Sequence, residues 1–190
     1  MRTRKGFTLV ELSIVLVIIG LLIGGVLKGK SMIDNAKVKR VKSDIDGIVA
    51  ATYGYQDRYG YLPGDDTNDR STELGATGCT GGDGDGLFDN NERACAWQVL
   101  IGSGFTSGNA SETDRLKVSK RSPFGGIYEL VNATHGDQNG NHIFVDNVPS
   151  DKIKALDDKY DDGIYNTGTI QANNNYPATP VNRDMYWYAL

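Results

Sequence analysis

The chain opens with an apolar run that a soluble core of this size cannot absorb. Phe7 to Leu27 reads FTLVELSIVLVIIGLLIGGVL, 21 positions with one charged residue, Glu11. A helix of that length spans ~30 Å, about one hydrocarbon core. A secretory signal has a shorter apolar stretch and a small-residue cleavage site. This run ends in Lys28-Gly29-Lys30 and reads as a membrane anchor. Glu11 is the anomaly, since a carboxylate within the apolar region costs up to ~2.5–3.5 kcal/mol on insertion scales. That cost makes Glu11 a functional candidate.

Charge divides the chain at the same end. Residues 1–42 hold nine Lys/Arg and two acids, a net +7, whereas the remainder holds eleven against twenty-two, a net −11. The overall charge of −4 argues against a nucleic-acid partner. The two cysteines form no C-x-x-C motif, which excludes zinc ribbons and thioredoxin-type sites. Between Lys28 and Tyr59 there is no proline, and Val38, Val41, Ile45, Ile48, Thr52, Tyr55 and Tyr59 recur at alternating spacings of three and four. That is the seam of an amphipathic helix. Gly60 and Leu62-Pro63-Gly64 stop it. One helix from Phe7 to about Arg58 is ~75–80 Å long, so its N-terminal half is expected to protrude.

Lys5-Gly6-Phe7-Thr8-Leu9-Val10-Glu11-Leu12 follows a short basic leader and runs into the apolar helix. This segment resembles the processing site of type IV pilins and of the pseudopilins of type II secretion. The resemblance implies that a prepilin peptidase cuts between Gly6 and Phe7 and methylates the new amine of Phe7. It also implies that Glu11 pairs with the N-terminus of a neighbouring subunit and sets axial register. The implied fold is α+β: a pilin-like ladle with one long protruding N-terminal α-helix on a small antiparallel β-sheet head with Gly/Asp-rich loops. The expected divisions are a leader at 1–6, a transmembrane and filament-core helix at 7–27, its amphipathic half at 28–59, and a globular head at 60–190. Implied partners are the peptidase, the inner-membrane assembly machinery, the lipid bilayer before assembly, and further copies of the chain in a filament. The implied location is the inner membrane for the precursor, then a periplasm-spanning or extracellular fibre. A type II secretion pseudopilin or minor pilin is the alternative within the class. A membrane-anchored, calcium-dependent binding domain is the alternative outside it. No catalytic constellation is visible, so an enzyme is not expected.

Within the head, residues 64–92 are rich in Gly, Asp, Asn and Thr and read as loop. Asp83, Asp85, Asp89 and Glu92, with Gly86 between, follow a D-x-D-G-x-x-D-x-x-E spacing that resembles short calcium loops of the thrombospondin-repeat and dockerin type. Dense hard oxygen ligands suit Ca²⁺, whereas an acidic surface turn that binds nothing has the same composition. Gly81 stands where a further acid would complete a longer pattern. Cys79 and Cys95 bracket this loop. Export to an oxidising compartment predicts a disulfide between them. Residues 92–102 read as a short helix. Residues 126–131 and 142–148 read as strands, with Asn139-Gly140 as the hairpin turn signal. Ser150 is the expected N-cap of a helix over 151–160, which ends in a second acid group, Asp157, Asp158, Asp161 and Asp162, read as solvated. Residues 168–172 and 185–190 read as closing strands.

Overall fold

A computed structural model describes residues 6, 8–68, 70–79 and 82–190. Phe7, most of the expected leader and Gly81 lie outside the described residues. The chain divides into two compact units, Met1–Lys39 and Arg40–Leu190. A long N-terminal helix, α1 (Leu9–Tyr59), and a small four-stranded antiparallel sheet make an α+β, pilin-like arrangement.

In the first unit every large apolar residue of α1 from Leu9 to Leu27 is exposed, Leu9 at 87%. In the second unit the expected seam is covered. Val41, Ile45, Ile48, Thr52 and Tyr55 are buried, joined by Asp44 and Ala51. Tyr59, at the end of the seam, is half-buried, and so is Val38, which belongs to the first unit. Asp44 holds α1 to the head: it accepts from the Tyr128 hydroxyl at 3.2 Å, and Lys120 Nζ sits 2.8 Å from its other oxygen. The helix stops where the glycine and proline require it. Gly60, at φ 84°, donates back to the Gln56 carbonyl. Gly64, at φ 88°, leaves no room for a Cβ, which would lie 2.8 Å from the Ala96 nitrogen.

The head carries α2 (Arg93–Gly102), α3 (Arg115–Val118), β1 (Tyr128–His135), β2 (Gln138–Pro149), α4 (Ser150–Tyr160), β3 (Ile170–Ala172) and β4 (Asn182–Trp187). Strand order is β1-β2-β4-β3, antiparallel throughout. Asn139-Gly140 is not the hairpin turn. His135 pairs with Gln138, so the turn is Gly136-Asp137, and Asn139 and Gly140 continue β2 opposite Thr134 and Ala133. Gly136 has φ 55°, as a two-residue turn with glycine first requires. The strand alternation thus runs several residues further than the turn dipeptide suggested.

Ser150 is likewise not the N-cap of α4. That position falls on Pro149, and Ser150 bonds to the segment just before β4 instead. Its amide donates to the Val181 carbonyl at 2.8 Å and its hydroxyl accepts from the Val181 amide at 3.2 Å. The short helix α3 has no counterpart in the sequence reading. Asp114 caps it by accepting from the Leu116 amide at 3.0 Å.

The core joins Tyr55 and Ile45 of α1, Trp97 and Leu100 of α2, Ile153 and Leu156 of α4, and Leu130, Ile143, Ile170 and Met185 of the sheet, all under 2% exposed. Leu130→Ala removes a fully buried side chain and should cost ~2–5 kcal/mol. Leu116→Ala, at a position 50% exposed, should cost less than about 1 kcal/mol. Denaturant unfolding of the full chain in detergent, followed by tryptophan fluorescence, measures both.

Candidate functional site

Two groups of residues carry chemistry, one at the start of α1 and one in the acidic loop. Thr8 precedes α1, and its carbonyl accepts from the Leu12 amide at 3.2 Å, which makes Thr8 the N-cap. The Glu11 amide donates to Thr8 Oγ1 at 3.2 Å, and the Thr8 amide donates to Glu11 Oε2 at 2.8 Å. The Thr8 hydroxyl donates to the same Oε2 at 2.9 Å. This is a reciprocal capping box, Thr-x-x-Glu. Glu11 therefore satisfies donors that the helix start would otherwise leave without partners in an apolar surrounding. The spacing of Thr8 and Glu11 carried that signal, and the sequence reading passed over it. Gly6 is exposed with open space around it.

The acidic loop converges differently from its spacing. Asp65, Asp83 and Asp85 each bring a carboxylate oxygen within 4.8 Å of the others. Asp89 and Glu92 are not in that group. Asp65, immediately after the turn that ends α1, was not singled out in the sequence. No spacing rule connects it to residues eighteen or more positions along; only the folded loop does. It is 1% exposed and accepts from the Gly84 amide at 2.7 Å and the Gly86 amide at 2.8 Å. Asp83 accepts from the Asp85 amide at 3.2 Å, and Asp85 from the Leu87 amide at 2.8 Å. Burial, the largest influence, raises the Asp65 carboxyl above its ordinary value against the pull of both amides.

Glu92 sits at the N-cap of α2, 2% exposed, and accepts from the Asp89 amide at 3.0 Å. Burial raises its carboxyl to about 7, and the carboxylates of Asp65, Asp89 and Asp83 push the same way. The loop is pinned on both sides. Cys79 and Cys95 form a disulfide with Cα atoms 5.4 Å apart, tying the loop to α2. Closing that segment is worth ~3 kcal/mol in the chain-entropy account. Asn141 of β2 donates to the Gly86 carbonyl at 2.7 Å and accepts from the Phe88 amide at 3.0 Å.

The residues that fit a cation are thus Asp65, Asp83 and Asp85. Oxygens this close match the 2.3–2.6 Å ligand distances of Ca²⁺. Asp157, Asp161 and Asp162 meet the same distance criterion and, like the first group, accept from nearby donors. Asp157, 0% exposed, accepts from Tyr176 at 2.7 Å and Gly163 at 2.9 Å. Asp161 accepts from Ile170 at 2.7 Å, and Asp162 from Thr167 at 2.6 Å and Ile164 at 2.8 Å. These acids fasten the segment after α4.

Residues 1–27 match the family model of the prokaryotic N-terminal methylation motif, the type IV pilin and pseudopilin signal. No curated protein and no solved structure matches the chain. The motif supports a type IV pilin-like or pseudopilin protein, and it implies processing by a prepilin peptidase. It points to a structural rather than a catalytic role. With the apolar helix that follows, it is consistent with a precursor in the inner membrane.

A buried acid whose carboxyl is raised from 4.5 to about 7 binds its proton more tightly folded than unfolded. Its contribution to stability is present at low pH and is lost as pH rises through about 5 to 7.5. In calcium-free buffer the thermal midpoint of the head should fall across that window. Glu92→Gln should flatten the fall in part, with the remainder due to Asp65, which is raised in the same direction. Circular dichroism melts at several pH values measure the difference.

Proposed function

We propose that the chain is the structural subunit of a type IV pilus-like filament, cut between Gly6 and Phe7 and held in the inner membrane before assembly. The observation that carries this reading is the continuous exposed apolar surface of α1 from Leu9 to Leu27, directly after a prepilin-type motif. Lipid covers such a surface in the precursor. The same surface on other copies covers it in a fibre, where close packing rather than water exclusion drives association. Removal of the leader leaves an ammonium at Phe7, four residues before Glu11 in the sequence. Glu11 has two duties in this reading: it caps its own helix through Thr8, and its charge selects the amine of the next subunit. An ion pair in an apolar bundle adds little net stability, yet an unpaired charge there is costly, so the pair fixes register.

The two duties separate by substitution, because glutamine still closes a Thr-x-x-Gln capping box but carries no charge. Glu11→Gln and Glu11→Ala should both reach the membrane and be processed, yet both should lose filaments in electron microscopy of sheared surface fibres. Thr8→Val, which removes the cap hydroxyl and keeps the charge, should still assemble. Normal piliation by Glu11→Gln would leave capping as the residue's whole role.

A second reading concerns the head. The convergence of Asp65 with Asp83 and Asp85 supports a calcium site in the acidic loop. Calcium at a hundredfold its dissociation constant should stabilise the head by ~2.7 kcal/mol. Paired Asp83→Asn and Asp85→Asn changes should abolish that gain in thermal melts of the full chain.

A further inference from the structure

The outer face of the sheet carries a cavity of about 370 Å³ that neither the helix nor the acidic loop uses. Arg93 of α2, Arg115 of α3, Glu129 of β1, His142 and Phe144 of β2 and Tyr186 of β4 line it. Charged residues seldom sit this deep unless paired. Glu129 is 3% exposed, with Arg115 Nη1 2.7 Å from one oxygen and donating to the other at 2.8 Å. Arg93 is 4.0 Å from the same carboxylate, too far for a hydrogen bond.

Two lining residues hold a buried polar atom that no described residue satisfies, Arg93 Nε and His142 Nε2, whereas both Glu129 oxygens lie against Arg115. Burial pushes the His142 imidazole down to about 4, so the ring is neutral at pH 7. Its Nδ1 lies 3.1 Å from the Gly140 carbonyl, which only an N–H can contact favourably, leaving Nε2 a bare acceptor. The cavity therefore offers one unused donor and one unused acceptor beside the Arg115–Glu129 ion pair. Buried polar groups without partners are uncommon and mark a place where a partner is missing.

The charges at the cavity balance. Two arginines face Glu129 and Asp146, which also lines the cavity. An anionic ligand would meet two carboxylates and a cationic ligand two guanidinium groups. A neutral ligand with hydroxyl groups meets neither conflict, because each hydroxyl donates and accepts. The rings of Phe144 and Tyr186, with centroids 5.4 Å apart and both half-buried, supply an apolar surface beside the polar groups. A mostly apolar wall with a few convergent polar groups, in this size range, is the form of a small-ligand site.

We infer that this cavity binds a neutral hexopyranose unit, its hydroxyls on Arg93 and His142 and its C–H face against Phe144 and Tyr186. The inference goes beyond the filament reading and does not depend on it. Saturation-transfer difference NMR tests it on the full chain in a zwitterionic detergent without sugar headgroups. The probes are the methyl glycosides of glucose, galactose, mannose and N-acetylglucosamine, with glucuronic acid and glucosamine as charged arms. At least one neutral glycoside should receive transfer, strongest at its ring C–H protons. Arg93→Ala should weaken binding about tenfold, the loss of one hydrogen bond to a charged group. Leu116→Trp, which fills the rim from a position half exposed to solvent, should abolish binding with the fold intact, and it decides the matter if Arg93→Ala does not fold. Absence of transfer to every neutral glycoside, preference for a charged sugar, or unchanged binding by the Leu116→Trp protein would overturn the inference.

Discussion

An uncovered apolar surface governs this molecule. From Leu9 to Leu27 the large side chains of α1 are exposed, in a segment that by length and composition can cross a membrane. At ~25 cal/mol per Å² of apolar area, no chain keeps such a surface in water. It must rest in lipid or against another apolar surface. Both environments lack water, so the same constraint explains the capping box of Thr8 and Glu11. A helix start in an apolar medium must satisfy its own amides, and Glu11 accepts from one while Thr8 accepts from another.

Further along, the same helix meets the opposite requirement. From Val41 to Tyr55 its seam is covered by the head, and its first buried carboxylate, Asp44, is matched by Tyr128 and Lys120. A buried acid with a hydroxyl and an ammonium beside it specifies which turn of α1 meets β1. Burial and the Asp44 carboxylate together hold the Tyr128 hydroxyl protonated far above its ordinary range, so it remains a donor. The acidic loop is fixed by comparable means. Asp65 accepts two loop amides, Asn141 bridges the loop to β2, and the disulfide ties it to α2. Acids that look like a solvated charge excess are, at Asp65 and Asp157, buried organisers of backbone.

Elements governed by local chemistry were legible before the structure. The apolar run, the three-four seam, and the stop at Gly60 and Pro63 each depend on residues within a few positions of one another. The same holds for helices α2 and α4 and for the strand alternation. The structure departs from local signals where a long-range pairing competes with them. Asn139-Gly140 is a favourable turn pair, but Gly136-Asp137 lets Leu130 and Ile143 reach the core in register. Ser150 is a good cap by type, yet its hydroxyl takes the Val181 amide from a loop thirty-one residues away. In both cases a long-range pairing outweighed a local preference of about 1 kcal/mol.

Sequence alone settled that one end of this chain belongs among apolar neighbours, because twenty-one positions with a single charge permit nothing else. It also settled the helix that carries them and the processing motif that precedes it. Tertiary structure decided which acids converge, since Asp65 reaches Asp83 and Asp85 only once the loop is folded back. It likewise decided that Arg93 and His142, with polar atoms left without partners, share a cavity with the Arg115–Glu129 ion pair. The reason is separation along the chain: helix and strand patterns repeat over a few residues, while a site is assembled from side chains whose proximity exists only after burial has chosen the register.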